Sequence, residues 1–163
     1  MAAAWPDDAM TAAEVAAQMK VFEEDRAEHG DVAMFAVPDL PDGWMIRLRR
    51  NTGVTMAWCG YVLPPGGVPP DFDESDLKEE ELPHGGITCQ SRTNVGFDCA
   101  HANIDFCPKF GQFGDVPIHR KGAEYRTFDY VVQSAKSLAL GLYRVMLEKG
   151  HIVFSATIIT TTP

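Results

Sequence analysis

His84–Cys107, HGGITCQSRTNVGFDCAHANIDFC, gathers polar, ionisable and glycine residues between two short apolar runs. Such groups are costly inside a fold unless they are paired or used. Asp98 and His101 stand three apart in GFDCAH, and His84 opens HGG. A carboxylate beside an imidazole fixes its tautomer and raises its basicity, as a general base or an oriented ligand requires. In a regular strand Asp98 and His101 point to opposite faces, so the pair meets only if the chain bends after Cys99. The alternative is structural: Asp98 binds backbone amides at a strand end and His101 packs in the core. Gly85 and Gly86 permit close backbone approach to a ligand or another strand, or simply make a turn.

Other chemistries are less well supplied. Cysteine catalysis needs a thiolate beside a positive group, and Cys99 lies two residues from His101. A zinc site would draw on His84, Cys89, Cys99, His101 and Cys107, but no spacing matches C-x2-C or H-x3-H, so no metal set is assigned. His119, Arg120 and Lys121 precede the long C-terminal helix, where free N–H groups and positive charge can hold a phosphate or carboxylate. A solvated basic patch is the competing reading. No cofactor is indicated.

These residues must be positioned by a fold of 163 residues with 45% apolar and 23% charged content, which is enough for one domain with its own core. A net charge of −9 argues against general nucleic-acid binding and against docking on anionic membranes. No run approaches the roughly 20 apolar residues of a membrane helix. The first ten residues read as a flexible tail without the basic start of a secretory signal. The expected setting is therefore intracellular, with free thiols.

Thr11-Ala-Ala-Glu14 fits a capping box, and Ala12, Val15, Ala16, Met19 and Phe22 continue a helix over 11–28 that Gly30 stops. Its other face (Glu23, Glu24, Asp25, Glu28) reads as solvated. Asp31–Val37 fits a short strand. Trp44, Ile46 and Leu48 alternate with Arg47 and Arg49, so 44–63 reads as a β-hairpin, and the cluster Arg47, Arg49 and Arg50 reads as its solvated face, with an anion site as the alternative. Residues 64–82 run from PPGGVPP into DFDESDLKEEEL and read as a mobile, solvated loop. Tyr125, Phe128, Val132, Ala135, Ala139, Leu142 and Met146 predict a long amphipathic helix over 123–148. Gly141 inside it costs about 1 kcal/mol against alanine, which predicts close packing there. Residues 152–160 fit a final strand. With strands near 44–49, 54–63, 86–91, 94–100 and 152–160, the expected class is α+β: an antiparallel sheet of about five strands with the long helix across one face.

WCGYV (58–62), HGGIT (84–88), GFDCAH (96–101) and EYRTFDYV (124–131) occur in an order that resembles an uncharacterised family of small bacterial and phage proteins. That family shows HGG-[LI]-T, GFD-x-AH and a helix opening near YRDLEYV. The resemblance covers about 44–145 and implies a region rather than an activity. Relatives carry Gly-Asp soon after the AH pair, where this chain has Asn103-Ile104-Asp105. They often have an aromatic at the position of Cys89.

The combined expectation is a small polar or anionic, nucleotide-like ligand bound between HGGIT and GFDCAH. Gly85, Gly86, Thr88, Cys99, Asp105, Arg120 and Lys121 are the binding candidates. The alternative is a hydrolase or transferase using Asp98 and His101, with His84, in acid/base roles, with or without a metal.

Overall fold

The computed structural model describes residues 8–109 and 119–153. The α+β expectation holds. Helix α1 (Ala12–His29) leads into strands β1 (Val32–Ala36), β2 (Met45–Arg50), β3 (Trp58–Leu63), β4 (Cys89–Gln90) and β5 (Val95–Asp98), and helix α2 (Phe128–Glu148) follows. The sheet is antiparallel in the order β1-β2-β3-β5-β4. Helix α2 packs on β2 and β3. It buries Val131, Ala135, Leu138, Ala139, Leu142, Val145 and Met146 against Trp44, Ile46, Leu48 and Val62, while Phe128 and Val132 are partly buried beside them. Among the described residues, no helix is long and apolar enough to cross a membrane.

Both helices start where side chains satisfy free N–H groups. Thr11 and Glu14 form the capping box of α1, and Gly30 ends it at positive φ. Helix α2 starts five residues later than its periodicity predicts. Thr127 caps it, and the Asp25 carboxylate accepts from the Phe128 N–H at 3.0 Å. Residues 123–127 are held out of the helix because Glu124 bridges to Asp105 and Tyr125 is buried elsewhere.

Tyr125 belongs to a buried polar cluster that overturns two solvation expectations. Arg50 lies on the inward face of β2 with Ile46 and Leu48 and is fully buried. Its guanidinium donates to Asp31 Oδ1 at 3.0 Å, Met56 O at 3.0 Å, Gly30 O at 3.2 Å and the Tyr125 hydroxyl at 2.6 Å, and it covers the Trp58 ring at 4.1 Å. Asp25 is buried too. It accepts from Trp58 Nε1 at 2.9 Å and from the Tyr125 hydroxyl at 2.7 Å. Burial, the first cause, pushes the Tyr125 hydroxyl far above its ordinary value, so it stays a neutral donor. The demands of Arg50 also reshape the hairpin: β3 begins at Trp58 rather than 54, because residues 51–57 form a loop that turns Met56 O inward.

The acidic stretch is a packed strap, not a solvated loop. Val68, Phe72 and Leu77 are buried, and two 3-10 turns (Glu74–Asp76 and Glu79–Glu81) lay it along α2. Gly141 makes this approach possible, since a Cβ there would lie 2.7 Å from Glu81 Cβ. Arg144 then clasps Glu81 through contacts of 2.6 and 2.8 Å. Lys149 bonds Asp76 at 2.7 Å. Glu81→Gln is therefore expected to cost about 1 kcal/mol, the upper end for a partly exposed ion pair. Glu79→Gln and Glu80→Gln should stay within about 0.5 kcal/mol. Chemical denaturation of the three variants separates them.

Other boundaries also move. The first-strand reading at 31–37 corresponds to β1, which supplies the fifth strand. Of the final-strand expectation, residues 152 and 153 are not in a strand and 154–160 lie outside the described residues. In the tail expectation residues 1–7 likewise lie outside, whereas Ala9 bridges to Arg120.

Candidate functional site

The chain bends immediately after β5. The Asp98 carboxylate accepts from the Ala100 N–H at 3.0 Å, which closes a side-chain turn. A second turn over residues 101–105 follows, with the Asp105 N–H bonded to His101 O at 2.8 Å. Asp105 thereby enters the interior, where its residue is 0% exposed. From the other side, Pro83–Gly86 turns at the end of the strap, and the His84 N–H is held by Ser134 Oγ of α2 at 2.8 Å.

Asp105 is the centre of the cluster. Its carboxylate lies 2.8 Å from His84 Nε2, accepts from the His101 backbone N–H at 2.9 Å, and accepts from Arg126 Nε at 2.9 Å. Burial alone would raise its pKa, but the hydrogen bonds from His84, the His101 N–H and Arg126 outweigh it and hold the carboxyl below the usual range. On its far side, His84 Nδ1 lies 2.7 Å from the Tyr130 hydroxyl. The result is a chain Asp105–His84–Tyr130 that runs from the interior to an exposed hydroxyl. Arg126 sits over the Tyr130 ring, 4.9 Å from its centroid.

His101 lies beside His84, the rings tilted by 60° with centroids 5.4 Å apart. Its Nε2 is 3.1 Å from Asp98 O and 3.7 Å from Asp98 Oδ1, and its side chain is 29% exposed. Gly85 is the residue that permits this. Its φ is +70°, and a Cβ there would lie 2.0 Å from His101 Nε2. One ligand atom each from His84, His101 and Asp105 lies within 4.8 Å of the others. A shallow depression of about 290 Å³ opens beside the cluster, lined by His84, Tyr130, Gln133, Ser134, Ser137 and the Leu82–Pro83 turn.

Of the residues singled out in the sequence, His84, Gly85, Asp98, His101 and Asp105 come together. The others do not. Gly86 faces the strap, where a Cβ would meet Glu74 Oε1 at 2.8 Å. Thr88 is exposed and pairs through its backbone with Gly96. Cys99 is buried, and burial pushes its thiol far above the ordinary range, which removes it as a nucleophile. Burial likewise pushes Cys107 up to about 12 and Cys59 to about 11. Arg120 and Lys121 meet Asp8 instead, Arg120 Nε at 3.9 Å from its carboxylate and the Lys121 N–H on its carbonyl. They also stand well before α2, whose first N–H groups are taken by Thr127 and Asp25. The cation at the cluster is Arg126. Spacing had drawn attention to neither Arg126 nor Tyr130, although both lie in the EYRTFDYV segment.

No family model, curated protein or solved structure matches the chain.

Proposed function

We propose that the protein binds a small polar ligand in the depression beside His84 and Tyr130, with the Asp105–His84–Tyr130 chain as its polar wall. The single observation that carries this reading is that chain, which fixes an exposed hydroxyl through a buried carboxylate. The flanking Gln133, Ser134 and Ser137 offer further donors and acceptors at the rim. At about 290 Å³ the space suits a small molecule or one end of a larger one. Anionic groups, including those of nucleotide-like ligands, would find Arg126 and His101 nearby. An intracellular setting belongs to the same reading, supported by four unpaired cysteines. So does the likeness of HGGIT and GFDCAH to the bacterial and phage family.

Binding is favoured over catalysis because both ring nitrogens of His84 already have partners. Burial pushes the Cys59, Cys99 and Cys107 thiols and the Tyr130 hydroxyl above their ordinary values, so none of these four is an activated nucleophile. The hydrolase or transferase reading rests on one specific observation, the half-buried imidazole of His101 at 3.7 Å from Asp98. A bell-shaped rate profile lost in Asp98→Asn would favour it.

The test is a titration with adenosine monophosphate and with inorganic phosphate, followed through the tyrosine and histidine side-chain resonances. Shifts at Tyr130 and His84 are expected, and Tyr130→Phe should weaken binding about tenfold, the worth of about 1.4 kcal/mol. Tyr130 is largely exposed, so the variant should remain folded. Equal affinity in the variant, or silent Tyr130 and His84 resonances with both probes, would overturn the reading.

A further inference from the structure

We infer that His84, His101 and Asp105 form a binding site for a divalent first-row transition-metal ion such as Zn2+ or Fe2+. The inference goes beyond the small-ligand reading and does not depend on it. Two imidazoles and one carboxylate are the ligand types these ions favour when open positions remain for water or substrate.

Three features support the assignment. First, His84 Nε2 and the Asp105 oxygens stand 2.8 Å apart. Metal–ligand bonds of about 2.0–2.2 Å set neighbouring ligand atoms about 3 Å apart, so this edge of a coordination sphere is already at the right length. Two acceptors at that distance require something positive between them. A proton on Nε2 serves in the metal-free protein, and a metal ion replaces it in the loaded one.

Second, the partners behind the ligands are those that orient metal-bound groups. His84 Nδ1 faces the Tyr130 hydroxyl, which can accept its N–H and leave Nε2 as the ligand atom. Asp105 is steadied by the His101 N–H and by Arg126. Arg126 also offsets the carboxylate charge, which points to a modest affinity.

Third, Gly85 lets the His101 ring lie directly against the turn that carries His84, since a Cβ there would stand 2.0 Å from His101 Nε2. His101 has no strong side-chain partner of its own: its Nε2 meets a carbonyl at 3.1 Å and a carboxylate at 3.7 Å. It is thus the ligand least tied to its present place, and one ligand atom from each of the three residues already lies within 4.8 Å of the others.

The experiment uses the full chain freed of metal by a chelator and then titrated with Co2+ and Zn2+. About one Co2+ per chain is expected, with ligand-field bands and no thiolate charge-transfer band. His101→Ala should lose at least tenfold in affinity for both ions, and its melting curve should be close to that of the parent because the ring is partly exposed. Asp105→Asn should lose binding as well, but Asp105 is buried and its loss also weakens the fold, so His101→Ala decides. A thiolate band, no bound metal, or parent-like binding in His101→Ala would overturn the assignment. Repeating the adenosine monophosphate titration on the metal-free protein keeps the two proposals apart, since each can fail while the other stands.

Discussion

Asp25→Ala is expected to destabilise the protein by about 3–5 kcal/mol, the scale for removing one member of a buried charged pair. Arg50 Nη2 lies 3.7 Å from Asp25 Oδ2, and the Arg50 side chain is fully buried. The loss reaches three elements at once. Trp58 Nε1, the Tyr125 hydroxyl and the Phe128 N–H would each lose an acceptor. Asp31 would still hold Arg50 Nε, which keeps the guanidinium partly paired. Equilibrium unfolding in urea measures the effect. A loss below about 1 kcal/mol would mean that water replaces the carboxylate and that the cluster is not closed. Substituting Asp25 by asparagine should fall between the two, since it keeps one acceptor and removes the charge.

Gly85→Ala is expected to disable the candidate site at a smaller cost to the fold. The backbone at φ +70° costs an alanine about 1–2 kcal/mol. More importantly, its methyl group would lie 2.0 Å from His101 Nε2, a separation no ring can tolerate. The imidazole must leave its present position beside the turn, so metal affinity should fall at least tenfold while the sheet and α2 remain. The dipolar contacts between the His84 and His101 rings report this directly. Their survival in the variant would show that the turn, rather than the ring, had given way.

How much of this was legible in the residues depends on whether the signal is local. The capping box at Thr11, the alternation of Trp44, Ile46 and Leu48, and the stripe along α2 are local patterns, and the elements formed over them except for the first turn expected of α2. Arg50 continues the same alternation, and Asp25 follows Phe22 by three on the buried stripe of α1. Charge alone points both to solvent, although their spacing puts them inside. The strap reads as solvated for the same reason: its acids hide Val68, Phe72 and Leu77, and its partners Arg144 and Lys149 lie more than sixty residues away. At the candidate site, HGG and GFDCAH marked the right turns. The Asp105 pairing could not be read, because it depends on the bend at Asp98 and on the bridge between Asp105 and Glu124. Arg126 and Tyr130 flank the start of α2, and only the placement of that helix over the turns brings them to His84.

The Asp25–Arg50–Tyr125 cluster also bears on the order in which the chain acquires its structure. Arg50 and Tyr125 are 75 positions apart, and Asp25 and Phe128 are 103 apart. Contacts of that separation carry a large loop-closure entropy and form late in folding. A nascent chain that has emerged only as far as β5 already contains Asp25, Arg50 and Trp58, but not the hydroxyl and helix N–H that complete their bonding. Synthesis at about 5–20 residues per second leaves this half-built interior waiting for several seconds. The first half of the protein is therefore a poor independent folding unit, and the arrival of Tyr125 to Phe128 is the step that locks it.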